Sequence, residues 1–293
     1  MNNNKLNQIL NYKNLNLFLV KDYILIVELN RPKSMNALNI ELLDDLYNLF
    51  SRIEETLLNN KDIDIRCIIL KGSNNNFSSG LDLKDNPINE FMQEDSDINK
   101  LDVSRKAIRI NSFIGKFQDK ISSIEKCCLP VISIIDGYCI GGATSIISST
   151  DIRICTTNSK FSVKEVDLSI AADIGVLQRM NKQVKNDSLY RQYVYTGEIF
   201  NGKQAKDLGL VSECLDTYKE VEDYAISIAK SISSKSPVTI WGIKKAINYS
   251  KDHNSNDALE YIKNLNSSLL QTNDLSVSIV SALQKKKPNF PKF

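Results

Sequence analysis

Between Asn16 and Asn30 two short runs of apolar and β-branched residues, Leu17 to Val20 and Tyr23 to Leu29, flank Lys21 and Asp22. Two strands so close in sequence predict a hairpin. Beyond the Arg31-Pro32 break, Leu38, Leu42, Leu46, Leu49, Phe50, Ile53 and Leu57 recur every three or four positions. That period sets one apolar stripe on a helix from Leu38 to Leu58. Arg66 to Leu70 is almost wholly apolar and ends at Lys71-Gly72, which predicts a short buried strand. Strand, helix and strand in this order imply a sheet with helices packed on its face.

The alternation then recurs. The stretch Asp82 to Asp102 is acidic and poor in large apolar residues, which predicts a surface excursion flanking a site, and a helical pattern follows from Val103 to Ile124. Pro130 to Ile135 reads as a buried strand, Gly141-Gly142 opens a helix, and Asp151 to Cys155 is strand again. Beyond Leu215 the strands stop, and three helices are predicted. Their apolar positions are Val221 to Ile232, Ile240 to Ile247, and Leu259 to Ile279, the second opened by Ser236-Pro237. The expected architecture is an α/β core with a helical C-terminal extension. The apolar surface of those helices exceeds what one core covers, so either self-association or an added intramolecular layer is implied.

Composition narrows the function. A chain of 293 residues with 42% hydrophobic content can bury a large core. Lys and Arg number 37 against 35 Asp and Glu, a balance of +2 that offers no long-range field for nucleic acid or an anionic membrane. Cys67, Cys127, Cys128, Cys139, Cys155 and Cys214 lack C-x-x-C spacing, and His253 is the only histidine. Reduced thiols in an intracellular protein are therefore expected, and no metal site. No stretch approaches the roughly 20 apolar residues of a spanning helix. Residues Met1 to Asn16 are Asn-rich with only Lys5 and Lys13 charged, a poor match to a secretory or mitochondrial leader. Pro291-Lys292-Phe293 is not the common peroxisomal address.

Three segments carry candidate chemistry. Phe77 to Leu83 and Gly137 to Ala143 are glycine-containing turns that each follow an apolar strand. Glycine there lets backbone approach a ligand, and two outward amides meeting at one point form an oxyanion hole. Structural turns of this composition are common, so neither is decisive alone. Val163 to Gly175 holds Glu165, Asp167 and Asp173 among apolar neighbours, where a carboxylate is costly unless paired or used. Glu165 and Asp173 either face one cavity or serve as ion-pair partners and helix caps; their spacing leaves both open.

Asn30 to Leu38, Phe77 to Leu83, Pro130 to Gly142 and Asp151-Ile152-Arg153 stand in the order and spacing of the crotonase (enoyl-CoA hydratase/isomerase) superfamily. Within it, Val163 to Asp167, Ala171 to Gly175, Leu177-Gln178-Arg179, Tyr249 to His253 and Leu269 to Leu275 resemble the dienoyl-CoA isomerase branch. The resemblance spans Leu17 to Leu283. It implies a crotonase-like ββα spiral core over residues 16–215 and a C-terminal α-helical oligomerisation region over 216–284. A low-complexity tail at 1–15 and a second tail at 285–293 flank them.

The resemblance further implies an acyl-CoA substrate, no separate cofactor since coenzyme A belongs to the substrate, and a homotrimer or homohexamer in a mitochondrial or cytoplasmic compartment. The amides of Leu81 and Gly142 correspond to the oxyanion hole, and Glu165 and Asp173 to the two proton-transferring acids, acting at C2 and C6 of a 3,5-dienoyl chain. Met35 and Ala37 correspond to the CoA adenine end, with Ser79, Gly80, Asp82, Leu83, Gly141 and Ser145 along the substrate path.

One position departs from the pattern. Ser145 stands where the branch carries a third acid and where many hydratases keep a water-activating glutamate, which counts against hydration. A 3,2-enoyl isomerase or weak hydratase using Glu165, and a silent acyl-CoA-binding scaffold, are the competing readings. His253 is expected solvated, Trp241 in the core or an interface, Lys285 to Lys287 at a frayed helix end, and Asp151 and Arg153 as struts between strands and loops.

Overall fold

The computed structural model describes residues 10–21, 23–85 and 96–292. Asp22 of the expected hairpin turn and residues 86–95 of the acidic stretch lie outside them, as do the first nine residues and Phe293. The hairpin forms as β1 (Leu15–Val20) and β2 (Ile24–Leu29), antiparallel with Leu15 opposite Leu29. Helix α1 (Ile40–Asn59) follows, opened by the Asn39 side chain accepting from the Leu42 amide. Then come β3 (Cys67–Gly72), α2 (Val103–Lys126), β4 (Val131–Ile135), β5 (Tyr138–Ile140), α3 (Gly142–Ser148), β6 (Ile152–Thr156) and β7 (Lys160–Ser162). The chain continues through α4 (Val176–Met180), α5 (Asp187–Thr196), β8 (Phe200–Asn201), α6 (Gly202–Leu208) and β9 (Glu213–Leu215).

The main sheet runs β1-β2-β3-β4-β6-β9, parallel from β2 onward, and β5-β7-β8 form a smaller second sheet. Its central strands read as unbroken apolar runs because both faces are covered. Leu25, Val27, Ile68, Leu70, Val131 and Ile135 point into a cluster with α1, α2 and α3. Ile24, Ile26, Cys67, Ile69, Ile132 and Ile134 point the other way, against Val221, Ala225 and Ala229 of α7 (Tyr218–Ser233). Two alanines on that helix let it approach the sheet closely.

The C-terminal pattern yields four helices rather than three: α7, α8 (Pro237–Ser250), α9 (Ser255–Leu269) and α10 (Asn273–Leu283). The expected third helix breaks because Thr272 turns its hydroxyl onto the Asp274 amide and caps a new helix. No residue of α9 is buried, and α10 buries only Asp274, which accepts from Ser236 Oγ at 2.5 Å. After α10 the chain returns to the body: Phe290 is buried and its carbonyl accepts from Arg66 Nη2 at 3.0 Å.

The struts behave as expected. Asp151 accepts from the Val131 amide and from Lys244, and Arg153 donates to the carbonyls of Leu210 and Thr150. Trp241 packs against the core and donates to Glu54. His253 is exposed, with its ring stacked 3.7 Å from that of Tyr249. Its expected solvation is thus accompanied by a local aromatic contact.

Candidate active site

The first turn is built by backbone bonds. The amides of Phe77 and Ser78 donate to the carbonyls of Asp136 and Tyr138, and that of Ser79 to Met35. Gly80 has φ +90°, and a Cβ there would lie 2.6 Å from the Ile140 carbonyl oxygen, so only glycine fits between the two turns. Leu38 and Leu81 form a parallel bridge in which Leu38 donates to Gly80 and Asp82 donates to Leu38. That arrangement turns the Leu81 amide away from Leu38, and no acceptor meets it among the described residues. Asp82 is held by Arg31 at 3.0 Å. Burial opposes its charge, yet the Arg31 hydrogen bond and the amides of Lys84 and Asp85 outweigh burial and keep its carboxyl below the usual range.

The second turn passes through Gly141, φ +53°, into α3, leaving the Gly142 amide at the first helical position. An amide there has no partner within its own helix. The Glu165 carboxylate lies over this glycine pair: a Cβ on Gly141 would stand 3.7 Å from its carboxyl carbon. Glu165 itself rides a 3-10 turn over Lys164–Leu168, ended by Ser169 at φ 58°. The chain then runs without regular structure to Asp173, whose carbonyl accepts from Gln118 Nε2 of α2 at 2.7 Å.

These elements enclose one cavity of about 370 Å³. Leu38, Leu43, Phe113, Phe117, Ile140 and Ile174 give it apolar walls, and Leu81, Gly142, Glu165 and Asp173 all line it. Glu165 Oε2 is buried with no hydrogen-bond partner among the described residues. Burial pushes the Glu165 carboxyl up, and the neighbouring Asp173 charge adds to the shift; burial also raises Asp173. Two carboxyl groups with a raised affinity for protons therefore share an apolar-walled space with Leu81 and Gly142.

The sequence profile of the enoyl-CoA hydratase/isomerase family matches residues 20–292. The chain belongs to that family. The mouse protein named Delta(3,5)-Delta(2,4)-dienoyl-CoA isomerase, mitochondrial, is 37% identical over 276 residues, which are 94% of this chain and 81% of the mouse protein. An Arabidopsis thaliana protein named Delta(3,5)-Delta(2,4)-dienoyl-CoA isomerase, peroxisomal, is 35% identical over 90% of this chain and 91% of its own length. The solved structure of a putative enoyl-CoA hydratase from Streptomyces coelicolor A3(2) superposes with a TM-score of 0.81 at 19% identity, over 96% of this chain and 94% of that one. The expected crotonase-like α/β fold, with helices at its C-terminus, is the one found.

In this family member Ser79, Gly80, Leu83 and Gly141 line the cavity together with the four residues above. Met35, Ala37, Asp82 and Ser145 do not: Met35 is exposed beside the first turn, Ala37 is buried under it, and Asp82 is turned to Arg31. Ser145 is fully buried in α3, and its Oγ has no partner among the described residues. Sequence reasoning missed the wall that α2 supplies. Phe113 and Phe117, with ring centroids 4.7 Å apart, repeat at helical spacing and read as ordinary core. It also passed over Gln118 and Lys164, polar residues with no local signal. Lys164 pairs with Asp167 at 2.6 Å on the cavity wall. Among the described residues no group of three or more His, Cys, Asp and Glu is arranged to hold a metal ion, and no helix is long and apolar enough to cross a membrane.

Proposed function

We propose that this chain is an isomerase converting 3,5-dienoyl-CoA to 2,4-dienoyl-CoA in fatty acid β-oxidation; its mouse and Arabidopsis relatives are named Delta(3,5)-Delta(2,4)-dienoyl-CoA isomerases. The observation that carries the reading is that Glu165 and Asp173 line one apolar cavity together with Leu81 and Gly142. In the proposed reaction the thioester oxygen accepts from both amides, which stabilise the negative charge that moves onto it. Glu165 takes a proton from C2. The C2–H electrons form the C2–C3 double bond, the C3–C4 pair moves to C4–C5, and the C5–C6 pair takes a proton from Asp173 at C6. One acid cannot serve both ends of an extended chain. Two acids in opposite protonation states can.

The substrate supplies coenzyme A, and the step needs no other cofactor. We assign the adenine end of CoA to Met35 and Ala37, and the pantetheine and acyl path to Ser79, Gly80, Leu83 and Gly141, the members of the expected set that line the cavity. Exposed Leu259, Leu270, Ile279 and Leu283 on and between α9 and α10 support assembly as a homotrimer or homohexamer. Of the two expected compartments, mitochondrial and cytoplasmic, the mitochondrial one accords with the mouse relative's name, whereas the Arabidopsis relative is named peroxisomal.

The test is ultraviolet absorbance of 3,5-dienoyl-CoA incubated with the protein, since only the 2,4-product conjugates with the thioester carbonyl. A rise in conjugated absorbance is expected. No rise, together with hydration of crotonyl-CoA, would replace this reading with a hydratase; CoA-ester binding without either reaction would leave a scaffold.

A further inference from the structure

Asp173 belongs to two cavities. A second cavity of about 350 Å³ lies between α2, α4 and the end of α8, and shares only Asp173 and Ile174 with the apolar one. The two differ in character. The second is walled by charged and amide side chains whose charges are internally paired. Glu125 lies 2.9 Å from Arg179 and 2.9 Å from Lys251, and Lys182 pairs with Asp252. Among the described residues no side chain pairs with the Asp173 carboxylate, whereas its backbone is anchored by Gln118. Glu165 touches the apolar cavity alone.

A proton-transfer cycle that uses two acids leaves both in the wrong state: Glu165 protonated and Asp173 ionised. Resting on the isomerase reading above, we propose that Asp173 is reloaded through the polar cavity. Water there donates a proton to the Asp173 carboxylate after each turnover, and Glu165, enclosed on the apolar side, releases its proton to solvent as product leaves. One proton enters and one departs, so the cycle closes without a co-reactant. The paired charges make this passage polar enough for water while leaving no competing free carboxylate to hold the proton. Asp173 is then a valve between a dry reaction chamber and a wet antechamber.

The test has two arms. Substrate deuterated at C2, turned over in ordinary water, should yield product with no deuterium at C6 by mass spectrometry; deuterium carried from C2 to C6 would mean that the two acids exchange internally and would overturn the proposal. In the second arm Gln178, an exposed residue on the polar cavity, is replaced by the bulkier Gln178→Trp. Expected are a fall in kcat of about tenfold, an unchanged KM and a larger solvent deuterium isotope effect on kcat, because reloading becomes slowest. No fall, or a fall without the isotope effect, refutes the passage. A wild-type chain that forms no 2,4-diene instead refutes the isomerase reading itself, so the two failures are distinguishable.

Discussion

The central sheet and the segment from Val163 to Gly175 follow opposite physical rules. In β3 and β4 every side chain up to Leu70 and Ile135 is buried, and the apolar ones divide between two packed faces. Between Val163 and Gly175 the chain has no regular element beyond a 3-10 turn, holds Ser169 and Gly175 at positive φ, and buries a carboxylate oxygen without a partner. The sheet holds the molecule together. The segment departs from those rules in a way that only a well-packed surrounding can sustain.

The largest expected break in that comparison is chemical. Glu165→Gln and Asp173→Asn should each lower isomerase turnover by about 10²- to 10⁴-fold while leaving the thermal midpoint unharmed, measured by the absorbance assay beside calorimetry. Activity retained in either variant would remove that acid from the reaction. The mirror experiment sits in the sheet. Ile69→Ala, buried against α7 and away from the cavity, should cost about 2–5 kcal/mol in denaturant unfolding, with kcat of the folded protein unaltered.

A third substitution joins the two regions. Gly80→Ala should cost about 1–3 kcal/mol, because it strains a left-handed backbone and pushes on the Ile140 carbonyl. It should also raise KM and lower kcat together, as the Leu81 amide is displaced. The smallest effect concerns pH. Burial raises the folded-state affinity of Glu165 for its proton, so folding binds a proton that the unfolded chain releases. Stability contributed by this group is therefore present below the ordinary carboxylate pKa of about 4.3 and declines as pH rises through the raised value. Glu165→Gln removes that decline, so the variant should be slightly more stable than wild type at neutral pH and lose this advantage in acid, by melting curves across pH. A constant difference at all pH values would argue against a strained carboxylate.

Much of the fold was legible because burial on both faces of a sheet forces an apolar run, and burial of one helix face forces a stripe. Ile24 to Leu29, Cys67 to Leu70 and Val131 to Ile135 each declare themselves in this way. The second sheet was illegible: β5, β7 and β8 are two or three residues long, and such pieces carry no period. The α9–α10 break was hidden for another reason. Leu259 to Ile279 keeps an apolar rhythm across Thr272, and a capping hydroxyl is a local hydrogen bond that periodicity does not register.

The kinds and order of the main elements, the two glycine turns and the presence of costly acids among apolar neighbours were determined by the sequence alone, since each follows from local sterics or from the free energy of burial. That Glu165 and Asp173 share one cavity was decided only by the tertiary structure. The chain between them leaves its 3-10 turn at Ser169 and points its side chains wherever that residue and the Gln118 anchor direct the backbone, and an apolar wall of the space comes from α2, far away in sequence. The same holds for the two free amides. Each turn alone leaves an amide unpaired, and the close crossing of Gly80 over Ile140 sets both turns on the wall of one cavity.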